Sequence, residues 1–230
     1  RNDELGGSMV YPYWHPSGDY VAFSTNQTKQ MFHMKDKNRI EVFDMSSDVL
    51  VYDVKNHRVV TDSLLFSKQA FETFPSFSPD GKTLYFSSSV AQKMPIDYKK
   101  VKYNICSISF DAETGRFGTQ VDTLFSVEQT GKTGTFPRVS PDGKFLAFTE
   151  ADYGNFTIWH KEADLCLIDL KTKEIKSLDA LNSLEAESYH AWSSNGRWLV
   201  FASRRDDGLY SRPYIAYIDE EGTPHKAFVV

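Results

Sequence analysis

The stretch Phe74-Pro-Ser-Phe-Ser-Pro-Asp-Gly-Lys-Thr-Leu-Tyr-Phe86 contains the pattern that decides the fold. An aromatic and a β-forming residue start a strand, Ser-Pro-Asp-Gly forms a tight turn, and alternating apolar residues form the return strand. In the turn, proline fixes φ, the aspartate side chain caps nearby backbone, and glycine accepts a positive φ. The pattern therefore predicts a β-hairpin.

Four copies of this hairpin follow one another along the chain. They lie at residues 11–18, 74–81, 136–143 and 189–196. A second hairpin follows each copy, and its first strand ends in an aspartate: Asp53, Asp111, Asp169 and Asp219. No segment has the apolar period of a long helix, so helix should be scarce. A repeat of roughly 50 to 60 residues indicates an array of similar units, each with four antiparallel strands.

Tandem four-stranded antiparallel units are the blades of a β-propeller, so the sequence predicts an all-β propeller fold. The blades should span about residues 9–66, 72–125, 134–179 and 187–230. Because one small sheet cannot bury both of its faces, the blades should pack against each other. Two sets of equivalent residues are expected in this blade-to-blade core: Trp14, Phe77, Val139 and Trp192, and Phe23, Phe86, Phe148 and Phe201.

The Ser-Pro-Asp-Gly-Lys-x-Leu-x-Phe pattern, clearest at residues 78–86 and 140–148, resembles the WD40-like (PD40) repeat of TolB-type propellers. That resemblance covers nearly the whole chain. TolB-type propellers have six blades and other users of the repeat have six to eight, so four copies suggest part of a larger propeller. A closed four-bladed ring is the alternative. The resemblance also implies a periplasmic or envelope-associated protein that docks a protein partner on one propeller face.

Composition excludes several classes of protein. The chain has 230 residues and a formal net charge of −5, which makes a nucleic-acid-coating role improbable on electrostatic grounds. No apolar run approaches the roughly 18 residues of a membrane-spanning helix, and no signal-peptide pattern is present. Cys106 and Cys166 form no metal-binding pattern and are expected to be free, buried thiols.

The connections between blade strands should differ at the two ends of the propeller. The second connection of each blade is long, at about residues 25–48, 88–102, 150–162 and 203–212, whereas the first and third are tight turns. Long loops on a rigid scaffold commonly carry binding residues. We expect partner contacts from basic and aromatic side chains of these loops, together with one aspartate: His33, Lys35, Trp159, His160, Arg204, Arg205, Asp206, Tyr210 and Arg212.

Such a face suits an acidic protein surface, a carboxylate or phosphate, or a sugar. Two more candidates, Arg138 and His190, lie in innermost strands, where they can face an axial channel and bind a small anionic or sugar ligand at its mouth. Structural alternatives stay open for these residues. Arg138 can be part of a buried pair, His190 can be a satisfied polar residue, and residues 204–207 can form an ion-pair network that braces their loop.

No catalytic pattern is found, so we predict a non-enzymatic binding module without cofactor or metal. Residues 131–133, Gly-Lys-Thr, mimic the end of a P-loop, but the required earlier glycine is Ser126. The Gly-x-Ser-x-Gly nucleophile motif is absent. Similar propellers occur in metal-dependent polysaccharide lyases and in prolyl-oligopeptidase-like hydrolases, and these remain alternatives. A purely structural spacer is a third possibility.

Overall fold

A computed structural model describes residues 8–31 and 40–230. These residues form four antiparallel sheets of four strands each, with strands in chain order within every sheet. The strands are β1 (Ser8–Trp14), β2 (Tyr20–Gln30), β3 (Phe43–Asp53), β4 (Arg58–Val60), β5 (Ala70–Phe77), β6 (Thr83–Val90), β7 (Asn104–Asp111), β8 (Arg116–Phe125), β9 (Thr133–Val139), β10 (Phe145–Ala151), β11 (Asp164–Asp169), β12 (Ile175–Ser177), β13 (Glu187–Trp192), β14 (Trp198–Ser203), β15 (Arg212–Tyr217) and β16 (Phe228–Val229). The predicted all-β propeller with four-stranded blades is confirmed.

Helix is scarce, as expected. The described residues contain one short α-helix, α1 (Val127–Thr130), and a 3₁₀ turn at Tyr98–Lys100. Among them, no helix has the length and apolar character needed to cross a bilayer. Cys106 and Cys166 are buried free thiols, and burial raises both thiol pKa values, that of Cys106 to about 12.

The repeated turns are held by their own side chains. In the second blade, the Ser78 hydroxyl donates to the Asp80 carboxylate at 2.6 Å, and that carboxylate accepts the backbone N–H of Lys82 at 3.0 Å. The Ser78 hydroxyl also accepts the backbone N–H of Thr83 at 3.0 Å. Ser140 and Asp142 repeat the arrangement in the third blade, and these bonds explain why the Ser-x-Asp-Gly spacing forms a hairpin.

Three apolar clusters join consecutive blades. One lies between blades 1 and 2, a second between blades 2 and 3, and a third between blades 3 and 4. Six of the eight predicted core residues are buried, and a seventh, Trp192, is partly buried against the cluster between blades 3 and 4. Trp14 is the exception, since its side chain is 59% exposed. The counterparts of Trp14 face the preceding blade, and blade 1 has no preceding blade among the described residues.

The innermost strands share a strained position at the centre of the molecule. The aromatic residue that begins each repeat, Tyr11, Phe74, Phe136 or Tyr189, has a φ of 55°. Each lies where the register of its strand shifts in a β-bulge. The Phe74 and Phe136 ring centroids are 4.1 Å apart, and Tyr11 lies 4.5 Å from Phe74 and 6.5 Å from Phe136. These four side chains form the axial plug, in which Phe74 and Phe136 are buried and Tyr189 is exposed beside Phe136.

Candidate binding site

One face of the propeller carries the long connections, at residues 91–103, 152–163 and 204–211, together with the described ends of the first one, residues 31 and 40–42. The first connections and three of the four third connections are turns of four or five residues, and they lie at the opposite end. The predicted difference between the two faces is confirmed in blades 1 to 3, whereas in blade 4 the third connection, residues 218–227, is also long. We call them the loop face and the turn face.

The third long connection crosses the axis and is attached to blade 1. The Tyr153 hydroxyl donates to Glu41 Oε1 at 2.7 Å, and His160 Nε2 lies 3.1 Å from Glu41 Oε2. The Asn155 amide donates to Asp44 Oδ2 at 2.5 Å. Phe156 packs over the axial plug, with its ring centroid 5.6 Å from that of Phe136. Residues 152–163, the axial strap, therefore close the axis on the loop face.

The carboxylates beneath the strap are buried but well supplied with hydrogen-bond donors. Asp44 also accepts from the Asn26 amide at 2.8 Å and from the Thr28 hydroxyl at 2.5 Å. Burial raises the pKa of Asp44, and these hydrogen bonds oppose that rise. Because these bonds fix the carboxylate oxygens that the strap contacts, they favour one arrangement of the strap. The loop face is thus preorganised at its centre.

A pocket of about 420 Å³ opens beside the strap, between the loops of blades 3 and 4. Its lining includes three residues predicted from the sequence, Trp159, His160 and Arg204. Lys161 and Glu185 lie at its edge and form an ion pair at 2.7 Å. The structure therefore brings together candidates from two different loops, and we call this cavity the loop-face pocket.

Arg204 and Trp159 form the wall of the loop-face pocket. The Arg204 guanidinium carbon lies 3.0 Å from the centroid of the Trp159 ring, which is a cation–π contact. Arg204 is only 4% exposed, and its guanidinium donates to the backbone carbonyls of Leu209 and Ile158. Burial lowers its pKa. Arg204 thus fixes the fourth loop while it supports the indole that faces the pocket.

The other candidates of the fourth loop take part in contacts within blade 4. Arg205 donates to the Ser203 hydroxyl at 2.8 Å and pairs with Glu187 at 3.3 Å. Arg212 pairs with Asp206 at 3.2 Å. Asp206 in turn accepts the hydroxyl of Tyr214 at 2.7 Å. These contacts match the bracing network that the sequence left as an alternative.

Besides the residues of this bracing network, three further candidates lie apart from the loop-face pocket, and two of the sequence predictions cannot be placed. Tyr210 is exposed on the fourth loop. Arg138 and His190 lie in β9 and β13, on the turn-face side of the axial plug. His33 and Lys35 fall outside the described residues. Within the described ranges, no three His, Cys, Asp or Glu side chains are grouped so that they can hold a metal ion.

Sequence reasoning missed Glu41, Asp44 and Asn155, which attach the strap. These residues are buried on the loop face although their types are usually exposed. Glu41 bonds to Tyr153 and Asp44 bonds to Asn155, and the two residues of each pair are more than one hundred positions apart in the sequence. The only signal was the presence of polar residues in a long connection, and such residues are normally read as solvated loop.

Comparison with solved structures agrees with the propeller fold. TolB from Acinetobacter baumannii superposes with a TM-score of 0.58 at 18% identity, covering 95% of this chain and 43% of that chain. The chain has a TolB-like β-propeller fold. A puromycin-hydrolyzing peptidase from Mycobacterium tuberculosis superposes with a TM-score of 0.61 at 15% identity, covering 96% of this chain and 28% of that chain.

One curated relative is also similar in sequence. Dipeptidyl-peptidase 5 from Porphyromonas gingivalis is 23% identical over 165 residues, which cover 72% of this chain and 20% of that protein. No protein-family model matches the chain. The chain spans about a fifth of this relative's length and less than half of the TolB and peptidase chains. The likeness therefore shows the fold, which both a non-enzymatic protein and peptidases use.

Proposed function

We propose that this chain is a non-enzymatic binding module that docks a protein partner on its loop face, with the loop-face pocket as the central contact. The observation that carries the proposal is the stacking of Arg204 on Trp159 at the edge of a preformed cavity. Tryptophan and arginine dominate the energetics of protein interfaces when they line well-packed pockets. The axial strap supports this role because it holds the loop face in one arrangement.

The charges around the pocket favour a partner segment with mixed polarity. Lys161 has an exposed side chain, and its partner Glu185 also lies on the lining. Glu162 lies 3.4 Å from His160 Nδ1, and its side chain is 37% exposed. Such a rim steers a partner and fixes its orientation, while the indole provides most of the affinity.

The cellular location is part of the same proposal. We infer a periplasmic or envelope-associated protein whose partner lies in the cell envelope. The TolB-like fold supports this location. A cell-fractionation experiment with the intact gene product tests it, and recovery in the cytosolic fraction contradicts it.

A second candidate function is the propeller part of a prolyl-oligopeptidase-like hydrolase. The similarity to dipeptidyl-peptidase 5 and to the puromycin-hydrolyzing peptidase supports it. This candidate requires a hydrolase domain with a Gly-x-Ser-x-Gly motif in the same gene product. Sequencing of the intact gene distinguishes the two candidates, because only the hydrolase candidate requires that motif.

The binding proposal is tested by affinity capture from an envelope extract of the source organism, with chemical cross-linking. Trp159→Ala and Lys161→Glu alter the pocket, while Lys171→Glu on the turn face is the matched control. Arg204 and Arg205 are less suitable for substitution because they brace their own loop. We expect one discrete partner, bound about 30-fold more weakly by Trp159→Ala. Equal capture by all variants contradicts the proposed site.

A further inference from the structure

A second polar site lies at the other end of the axis, below the axial plug. In every blade, the residue two positions after the plug aromatic pairs with the second strand at the equivalent position. These pairs are Tyr13 with Ala22, Ser76 with Tyr85, Arg138 with Ala147 and Ala191 with Val200. Equivalent positions on four blades surround the same axis. We call these four residues the axial mouth.

One contact across the axis brings two residues of the axial mouth together. The Arg138 guanidinium carbon lies 5.3 Å from the centroid of the Tyr13 ring, although the two residues belong to blades 3 and 1. The Trp192 indole N–H donates to the backbone carbonyl of Arg138 at 3.0 Å, which fixes β9 against blade 4. Arg138 is therefore held at the axis rather than directed away from the molecule.

The Arg138 guanidinium has few partners. Within residues 8–31 and 40–230, its one hydrogen bond is donated to the adjacent carbonyl of Pro137 at 2.9 Å. Among the described residues, no carboxylate lies within ion-pairing distance of it. An arginine side chain has five N–H donors, so most of them remain available. Arg138 is only partly exposed, and a cation withdrawn from water in this way is stabilised by pairing with an anion.

Ser76 adds a second unpartnered polar group to the axial mouth. Its side chain is fully buried, and its hydroxyl has no hydrogen-bond partner among the described residues. The hydroxyl is therefore a free donor and acceptor at the same register position as Arg138. The fourth position, Ala191, is short and exposed, so it leaves the mouth open to solvent beside the partly exposed Arg138.

We propose that the axial mouth binds a small oxyanion, either a carboxylate or a phosphate, through the Arg138 guanidinium, with the Ser76 hydroxyl as an additional donor. The planar guanidinium fork matches two oxygens of either group. The Tyr13 ring forms one wall and limits the size of the ligand. This site lies on the opposite side of the plug from the loop-face pocket, so it is independent of the proposed docking function.

Isothermal titration of the purified chain tests this site. The probes are sodium phosphate and sodium succinate, each compared with sodium chloride at equal ionic strength, and the two arms identify the preferred oxyanion. We expect saturable binding of at least one probe, weakened at least about tenfold in Arg138→Gln and less strongly in Ser76→Ala. Arg116→Gln, an exposed arginine of β8, is the control and should bind as the unaltered chain does.

A thermal unfolding series keeps the test independent of folding defects. In chloride alone, Arg138→Gln should melt at the same temperature as the unaltered chain or higher, because it removes an unpaired cation. When the oxyanion that binds is added, the melting temperature of the unaltered chain should rise and that of the variant should not. Binding of neither probe, or equal binding by Arg138→Gln, overturns the proposal.

Discussion

Replacing Phe148 by alanine is expected to lower the free energy of unfolding by about 3–5 kcal/mol, the usual cost of truncating a buried aromatic residue. Phe148 is fully buried between blades 2 and 3, and its ring centroid lies 4.9 Å from that of Phe125. Truncation leaves a cavity that neighbouring β-strands cannot collapse to fill. Urea unfolding followed by fluorescence measures this loss.

The matched control is Phe228→Ala, which makes the same chemical change at a residue that is 54% exposed. Phe228 lies in the short last strand, and its ring meets that of Trp198 edge-on at a centroid distance of 6.3 Å. We expect a loss below about 1 kcal/mol there. Similar losses in both variants would mean that the cluster between blades 2 and 3 contributes little to stability.

Replacing Glu72 by glutamine should change how stability depends on pH. Glu72 is only 2% exposed in β5, and its Oε2 has no hydrogen-bond partner among the described residues. Burial, and to a smaller extent the charge of Asp48, raises its pKa from 4.5 to about 8. Between these two values the folded chain keeps a proton that the unfolded chain has lost. Stability therefore falls as pH rises through this window.

The size of this effect follows from the linkage relation. From pH 5 to pH 7.5 the unaltered chain should lose about 3 kcal/mol relative to Glu72→Gln, because each pH unit in the window costs about 1.4 kcal/mol. Glu128→Gln, at an exposed glutamate of α1, is the control and should follow the unaltered chain. Urea unfolding at several pH values measures the difference. Parallel curves for the unaltered chain and Glu72→Gln would contradict the assigned pKa.

Local sequence patterns were sufficient to predict the blades. The Ser-x-Asp-Gly turns and the aspartates that close the third strands form hydrogen bonds within a few residues, as in the bonds that Asp111 accepts from Glu113 and Thr114. Such contacts depend only on residues that are close together in the sequence. The same reasoning placed Trp159, His160 and Arg204 on one face, because the long connections of successive blades lie at one end.

Features that depend on distant residues could not be predicted in this way. The aromatic residues of the axial plug were read as ordinary strand residues, although their positive φ and mutual packing arise only when blades converge on the axis. The strap is similar, since Glu41 meets Tyr153 and His160 from another blade. The exposure of Trp14 likewise depends on which blade is its neighbour, a property that no local pattern contains.

The docking face can be tested most directly by placing a photo-crosslinking amino acid at Lys161, beside the loop-face pocket, or at Lys171, on the turn face. Both positions are exposed, so insertion should leave the fold intact. After irradiation in envelope extract, our account predicts a discrete protein adduct from position 161 and none from position 171. An adduct only from position 171, or equal adducts from both, would contradict docking on the loop face.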